Sequence, residues 1–145
     1  MLLEYNNSLE SNLMDNTNWK SACFDVSSRP LSYLYGANWV ETNKQGVIRH
    51  FDDDSGSELL AVTSDTYKLV PNKDIVQGLE ELQRYNFQPV KVRNFNNRKF
   101  YFELKRTMDL YINNQPCDMR IQLTNSYDGT TKLGLNFGVF IQVCS

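Results

Sequence analysis

The chain has 145 residues, of which 41% are hydrophobic and 12% aromatic, and a formal net charge of −2 at pH 7. That length suits one domain able to bury a core without disulfides or metals. So small a charge excludes a blanket attraction to nucleic acid or anionic lipid. The charge is nevertheless uneven: residues 1–72 hold five Lys/Arg against ten Asp/Glu, and residues 73–145 hold ten against seven. An acidic front and a basic back point to partner binding.

The cysteines, Cys23, Cys117 and Cys144, are dispersed, and His50 is the only histidine. A zinc site needs about four N/S ligands at characteristic local spacing, so no metal is expected, and free thiols in a reducing cytoplasm are. The start of the chain has an early Glu4 and no basic stretch, unlike a signal peptide. No apolar run approaches the roughly 18 residues of a membrane span. A soluble, cytoplasmic protein with no membrane partner is expected.

In chain order, residues 1–21 are rich in Asn and Ser, with Leu9 and Leu13 spaced for a short helix or a docking arm. The stretch "SSRPLSYLYGANWVE", broken by Pro30 and Gly36, reads as loop and short extended pieces. Residues 1–40 are therefore expected to form an N-terminal arm and irregular segment, and residues 41–145 a single α+β domain. "GVIRHF" and "ELLAVT" are extended runs joined by a turn, Asp52 to Ser57. The aspartates there do not fit a calcium loop, because Gly56 falls at position 5 and Glu58 comes too early. Asn72 suits an N-cap, and Ile75, Leu79 and Leu82 recur at helical spacing, so one main helix is expected over about 73–85.

From Pro89 the period changes to two. Val90 and Val92 alternate with Lys91 and Arg93; Phe100, Phe102 and Leu104 alternate with Lys99, Tyr101, Glu103, Lys105 and Thr107. Asn96-Asn97 suits the tight turn between these runs. Met119, Ile121 and Leu123 point inward from the next strand, and a last run alternates Leu133, Leu135, Phe137, Val139, Ile141 and Val143. The expected fold class is α+β, a mainly antiparallel sheet of several strands with one main helix.

The basic hairpin carries the best chemical lead. Residues 91–106 hold six cations against Glu103 alone, interleaved with Phe95, Phe100, Tyr101 and Phe102. Single-strand binders combine cations that track phosphates with rings that stack bases. Alternation alone also accounts for the pattern, as core phenylalanines backed by solubilising lysines. In "NSYDG", Ser126 and Asp128 could be a nucleophile and a base, but only His50 could assist and no nucleophile elbow is present. Asp128-Gly129 reads better as a hairpin turn. Asp65 with an acid among Asp52–Asp54 could hold magnesium, though nothing in the spacing demands it.

Two stretches, "LLAVTSDTYKLVPNKDIVQGLEEL" and "LTNSYDGTTKLGLNFGVFIQVCS", together resemble a phage- and plasmid-encoded protein family of unknown function. Its members carry a Val-Ser-Asp-x-Tyr segment leading into a helix, and an Asn-Ser-x-Asp-Gly hairpin ending near a cysteine. The resemblance covers about Leu59 to Ser145. It implies mobile-element DNA metabolism, recombination or strand annealing, with no catalytic residue to carry over. It also implies a chain that runs on past the cysteine into a helical half, so that Ser145 marks a truncated form, a short phage form or a break before a second polypeptide.

The function expected is a non-catalytic module binding single-stranded nucleic acid through Lys91, Arg93, Arg98, Lys99, Tyr101, Lys105 and Arg106, with no cofactor and the potential to form a homo-oligomer. The alternative is a protein-interaction protein, an inhibitor of host defence or an assembly component, that meets a host or phage protein through the acidic stretch Asp52–Glu58.

Overall fold

The computed structural model describes residues 19–53 and 55–141. The helix considered about Leu9 and Leu13, Asp54 of the acidic turn, Val143 and Cys144 lie outside the described residues. After a 3-10 turn, Trp19–Ala22, the chain makes a long antiparallel hairpin of β1 (Asp25–Tyr35) and β2 (Asn38–His50). Gly36, at φ 61, opens its two-residue turn, a conformation that glycine adopts without strain. β3 (Ser57–Ser64) pairs only with Lys44–His50 of β2, so the distal part of the hairpin projects past β3 as a two-stranded ribbon.

Next come helix α1 (Asn72–Glu80) and a 3-10 turn, Glu81–Tyr85, which ends where Asn86 turns left-handed at φ 65. Strands β4 (Gln88–Phe95), β5 (Lys99–Ile112), β6 (Gln115–Ser126) and β7 (Gly134–Ile141) then form a second antiparallel sheet in sequential order. Two Asn-Asn pairs shape it. Asn96 and Asn97 have φ of 56 and 61, and Asn113 and Asn114 have φ of 52 and 63. Both central residues of a type I′ turn need positive φ, which asparagine tolerates better than other side chains.

The α+β expectation is therefore corrected: strands account for 61% of the described residues and helix for 15%, so the fold is mainly β. Two features account for the difference. Residues 25–40, expected to be irregular, are strand and turn, because Pro30 sits on edge strand β1, where a missing N–H is tolerated, and Gly36 is the turn itself. The expected helix also divides, its second half tightening to 3-10 geometry after Glu80.

The core lies between the two sheets and α1. Phe100, Phe102 and Leu104 of β5 and Ile121 of β6 are buried, as the alternation predicts, against Trp19, Phe24, Val47, Leu60, Ile75, Val76 and Leu79. Trp19 tilts against Phe102 at 5.1 Å between ring centroids, and Phe100 meets Tyr127 edge-on at 4.8 Å. The alternating row on β7 shares this face but is not covered: Leu135 and Phe137 remain 64% and 62% exposed.

One polar network crosses the core. Asn72 is the first helical residue rather than the N-cap; Pro71 holds the cap position, without a side-chain bond. The Asn72 backbone N–H instead donates to the Tyr127 hydroxyl at 2.7 Å. Its side-chain amide donates to the Ala22 carbonyl at 2.8 Å, and its side-chain oxygen accepts from Asn125 Nδ2 at 2.8 Å. Asn125 Nδ2 also donates to the Val70 carbonyl at 2.9 Å, and the Tyr67 hydroxyl donates to the Ser126 carbonyl. Burial pushes the Tyr127 phenol well above its usual value, keeping the acceptor neutral. A helix needs partners for its first N–H groups; here a tyrosine from the far side of the core provides one.

Tyr127→Phe keeps the ring but strips the acceptor from a buried N–H, so it should cost about 1–3 kcal/mol. Urea unfolding should show a lower midpoint at an unchanged slope; an unchanged midpoint would mean that the N–H has another partner.

Candidate nucleic-acid interface

In an antiparallel pair, residues directly opposite one another project to the same face. On β4 and β5, Lys91 lies opposite Glu103, Arg93 opposite Tyr101 and Phe95 opposite Lys99. On β5 and β6, Tyr101 lies opposite Thr124, Glu103 opposite Gln122 and Lys105 opposite Arg120. Since Phe100, Phe102 and Leu104 face the core, all of these side chains share the outer face of the sheet. Lys91, Arg93, Phe95, Lys99, Tyr101 and Thr131 border an open groove of about 340 Å³ there.

Beneath the cations lies a buried carboxylate. Glu103 is 3% exposed and accepts from the Tyr101 hydroxyl at 2.7 Å and Gln122 Nε2 at 2.8 Å. Arg120 bridges it, at 3.4 Å, to the buried Asp118, at 3.3 Å, and lies 5.4 Å from the centre of the Phe140 ring. Burial pushes the Glu103 carboxyl up, but the hydrogen bonds from Tyr101 and Gln122 and the charges of Arg120 and Lys91 outweigh it, leaving it below its ordinary value. Burial and the bond to Glu103 push the Tyr101 phenol up to about 12. The acids of this face are thus bound internally. Among the described residues, Lys91, Arg93, Lys99 and Lys105 form no ion pair within 4.0 Å.

Five of the seven residues singled out in the sequence share this face: Lys91, Arg93, Lys99, Tyr101 and Lys105. Two do not. Arg98 donates from Nε to the Leu60 carbonyl at 2.8 Å and from a terminal nitrogen to the Asn96 carbonyl at 2.7 Å, tying the turn to β3. Arg106 lies opposite Met119, on the core-side parity of β5. The sequence reading missed Arg120 and Phe140. Arg120 had a signal, since it occupies the polar parity between Met119 and Ile121; Phe140 had none, because it alternates out of register with the apolar row of its own strand.

The alternative chemistries do not assemble. Ser126 is fully buried, and its hydroxyl donates to the Thr131 carbonyl at 2.6 Å while accepting from the Thr131 N–H at 3.1 Å. Asp128 accepts from the Thr130 N–H and hydroxyl, at 3.0 and 2.6 Å, and Gly129 follows at φ 75. These residues build the link between β6 and β7. His50 is far from them in the chain and in its contacts, with Nε2 at 2.7 Å from Ser27 Oγ. The neighbouring Asp25 is bonded to Lys73 at 2.7 Å. Asp52 and Asp53 border a cleft of about 680 Å³ that also contains Lys20, Arg49 and Lys73, so this surface is mixed in sign. Cys23 and Cys117 are buried cysteines not joined in a disulfide.

A family model described as a domain of unknown function (DUF932) matches residues 59–145. The chain belongs to this family. Neither a curated protein nor a solved structure matches it. The DUF932 match runs from β3 onward and takes in both partners of the core network, Tyr67 and Asn72 on one side and Asn125 to Tyr127 on the other. It also includes every residue of the outer basic face. No described helix is long and apolar enough to cross a membrane.

A carboxyl whose value is lowered in the fold stabilises the ionised form. Its contribution is complete above the ordinary value of 4.5 and is lost as pH falls through the lower folded-state value. The melting-temperature gap between wild type and Glu103→Gln should therefore be widest near neutral pH and close in acid. A gap that widens as pH falls would contradict this role for Glu103.

Proposed function

We propose that this DUF932 domain binds single-stranded nucleic acid, without catalysis of its own, on the outer face of the four-stranded sheet. The carrying observation is the placement of Lys91, Arg93 and Lys99 with the half-buried Tyr101 ring and the half-exposed Phe95 ring around one open groove, with Lys105 further along the same face. Cations track the phosphates of a flexible strand while rings accept its bases, each stack contributing about 1–3 kcal/mol. An open sheet face suits a single strand, whose bases can be splayed onto it, better than a duplex, whose bases are stacked inward. The setting we propose is the cytoplasm of a cell carrying a phage or plasmid, in recombination or strand annealing. Capture of a protein by the acidic turn has weaker support, because Lys20, Arg49 and Lys73 share that cleft.

A salt series on a labelled oligonucleotide tests the proposal. For single strands log K falls with log salt at a slope of about −0.7 per neutralised phosphate, so four cations give about −3. Lys99→Glu combined with Lys105→Glu should flatten the slope and weaken binding by at least about tenfold. Tyr101→Phe, which keeps the ring, should bind nearly as wild type, whereas Tyr101→Leu should lose about 1–3 kcal/mol. No binding to DNA or RNA single strands even at low salt would remove the proposal.

A further inference from the structure

Among the described residues, two of the exposed apolar surfaces lie far from the basic face in chemistry. The first is the tip of the β1–β2 ribbon. Tyr33, Leu34, Tyr35 and Trp39 are 53%, 57%, 77% and 72% exposed around the Gly36 turn. Leu34 lies opposite Trp39 and Tyr33 opposite Val40, so adjacent positions put apolar groups on both sides of the ribbon. The second is the row Leu135, Phe137, Val139 and Ile141 on edge strand β7, with Leu133 just before it, all at least 40% exposed. It continues the core-side face of the sheet beyond the part covered by Trp19 and α1.

We propose that the ribbon of one copy docks on the β7 face of a second copy. Charge separates this occupant from a nucleic-acid strand. Residues 30–40 and residues 133–141 contain no Asp, Glu, Lys or Arg. A nucleic-acid strand would gain no phosphate contact from such a tip, whereas two uncharged surfaces desolvate each other without stranding an ion. The sizes also match. Taking about 150–250 Å² for a buried aromatic side chain, the tip offers on the order of 500 Å² of apolar surface over its two faces, about half of it from the one face that meets the β7 row. One contact then buries on the order of 500 Å² in total, and a reciprocal exchange about 1,000 Å², the lower bound for a specific interface. The ribbon projects past β3 and leaves its own tip uncovered, so the surface that receives it belongs to a neighbour. Edge strand β7 has no charge or proline to blunt it, which is the usual device against such contacts.

Sedimentation velocity and light scattering on the full chain across a concentration series test this. Wild type should form a dimer or larger multimer, with a blue shift of Trp39 emission as concentration rises; Trp19 is already fully buried and should not contribute. Tyr35→Ser with Trp39→Ser should be monomeric, and so should Leu135→Asn with Phe137→Ser, each with a wild-type circular dichroism spectrum. Mixing the two variants should restore a 1:1 heterodimer weaker than the wild-type dimer, because one supplies an intact ribbon and the other an intact β7 face, so one of the two contacts remains. A monomeric wild type at every concentration overturns the proposal, as does a multimer that survives either variant or a mixture that fails to associate. A Trp39 blue shift seen only with lipid vesicles or only with an oligonucleotide also overturns it and assigns the ribbon to that ligand.

Discussion

The hydrogen bond from the Asn72 N–H to the Tyr127 hydroxyl, with the Asn72–Asn125 side-chain bond beside it, sets how this domain is assembled. Helix α1 has only nine residues and no side-chain N-cap. A helix that short is marginal alone. Its start is fixed from across the core by a side chain at the end of β6, and the same contact brings α1 onto the inner face of β5 and β6. Asn72, Asn125 and Tyr127 are buried, so each bond they make avoids a desolvation cost that an unpaired group would carry. With the inner face of β5 and β6 occupied in this way, their outer face is left open.

The two stretches that carry the family resemblance therefore have a structural role. "SDTY" and "PN" on one side, and "NSYDG" on the other, are the two halves of one clasp. Serine and aspartate that resemble catalytic groups in the sequence are here a turn and its bracing: Ser126 ties back to Thr131, and Asp128 caps the following residues. The chemistry that could meet a ligand lies elsewhere, on the polar parity of β4 and β5. There, the buried Glu103 organises Tyr101, Gln122 and Arg120, and consumes negative charge that would otherwise oppose a phosphate.

Period-two alternation made the inner and outer faces of β5 readable from sequence, and with them five members of the basic face. It could equally have excluded Arg106, which has the parity of Phe102 and Leu104. Arg98 could not be judged in that way, because it follows a turn, where parity has no meaning and its partner is a carbonyl 38 residues away. The β1–β2 hairpin was hidden because Pro30 and Gly36 look like breaks, whereas an edge strand tolerates the first and a two-residue turn calls for the second. The true partner of Asn72 lies 55 residues along the chain, beyond any local pattern. On β7 the alternation was readable but burial was not, since burial depends on what packs against the strand.

The central claim is that the ligand face is the outer surface of β4 and β5. Hydroxyl-radical footprinting of the full chain, with and without a single-stranded oligonucleotide at low salt, tests it most directly. Protection should concentrate at Phe95 and Tyr101, with Phe140 at its margin, and leave Phe51 beside the acidic turn unchanged. Protection centred on Phe51, with Phe95 and Tyr101 as reactive as in the free protein, would contradict the account.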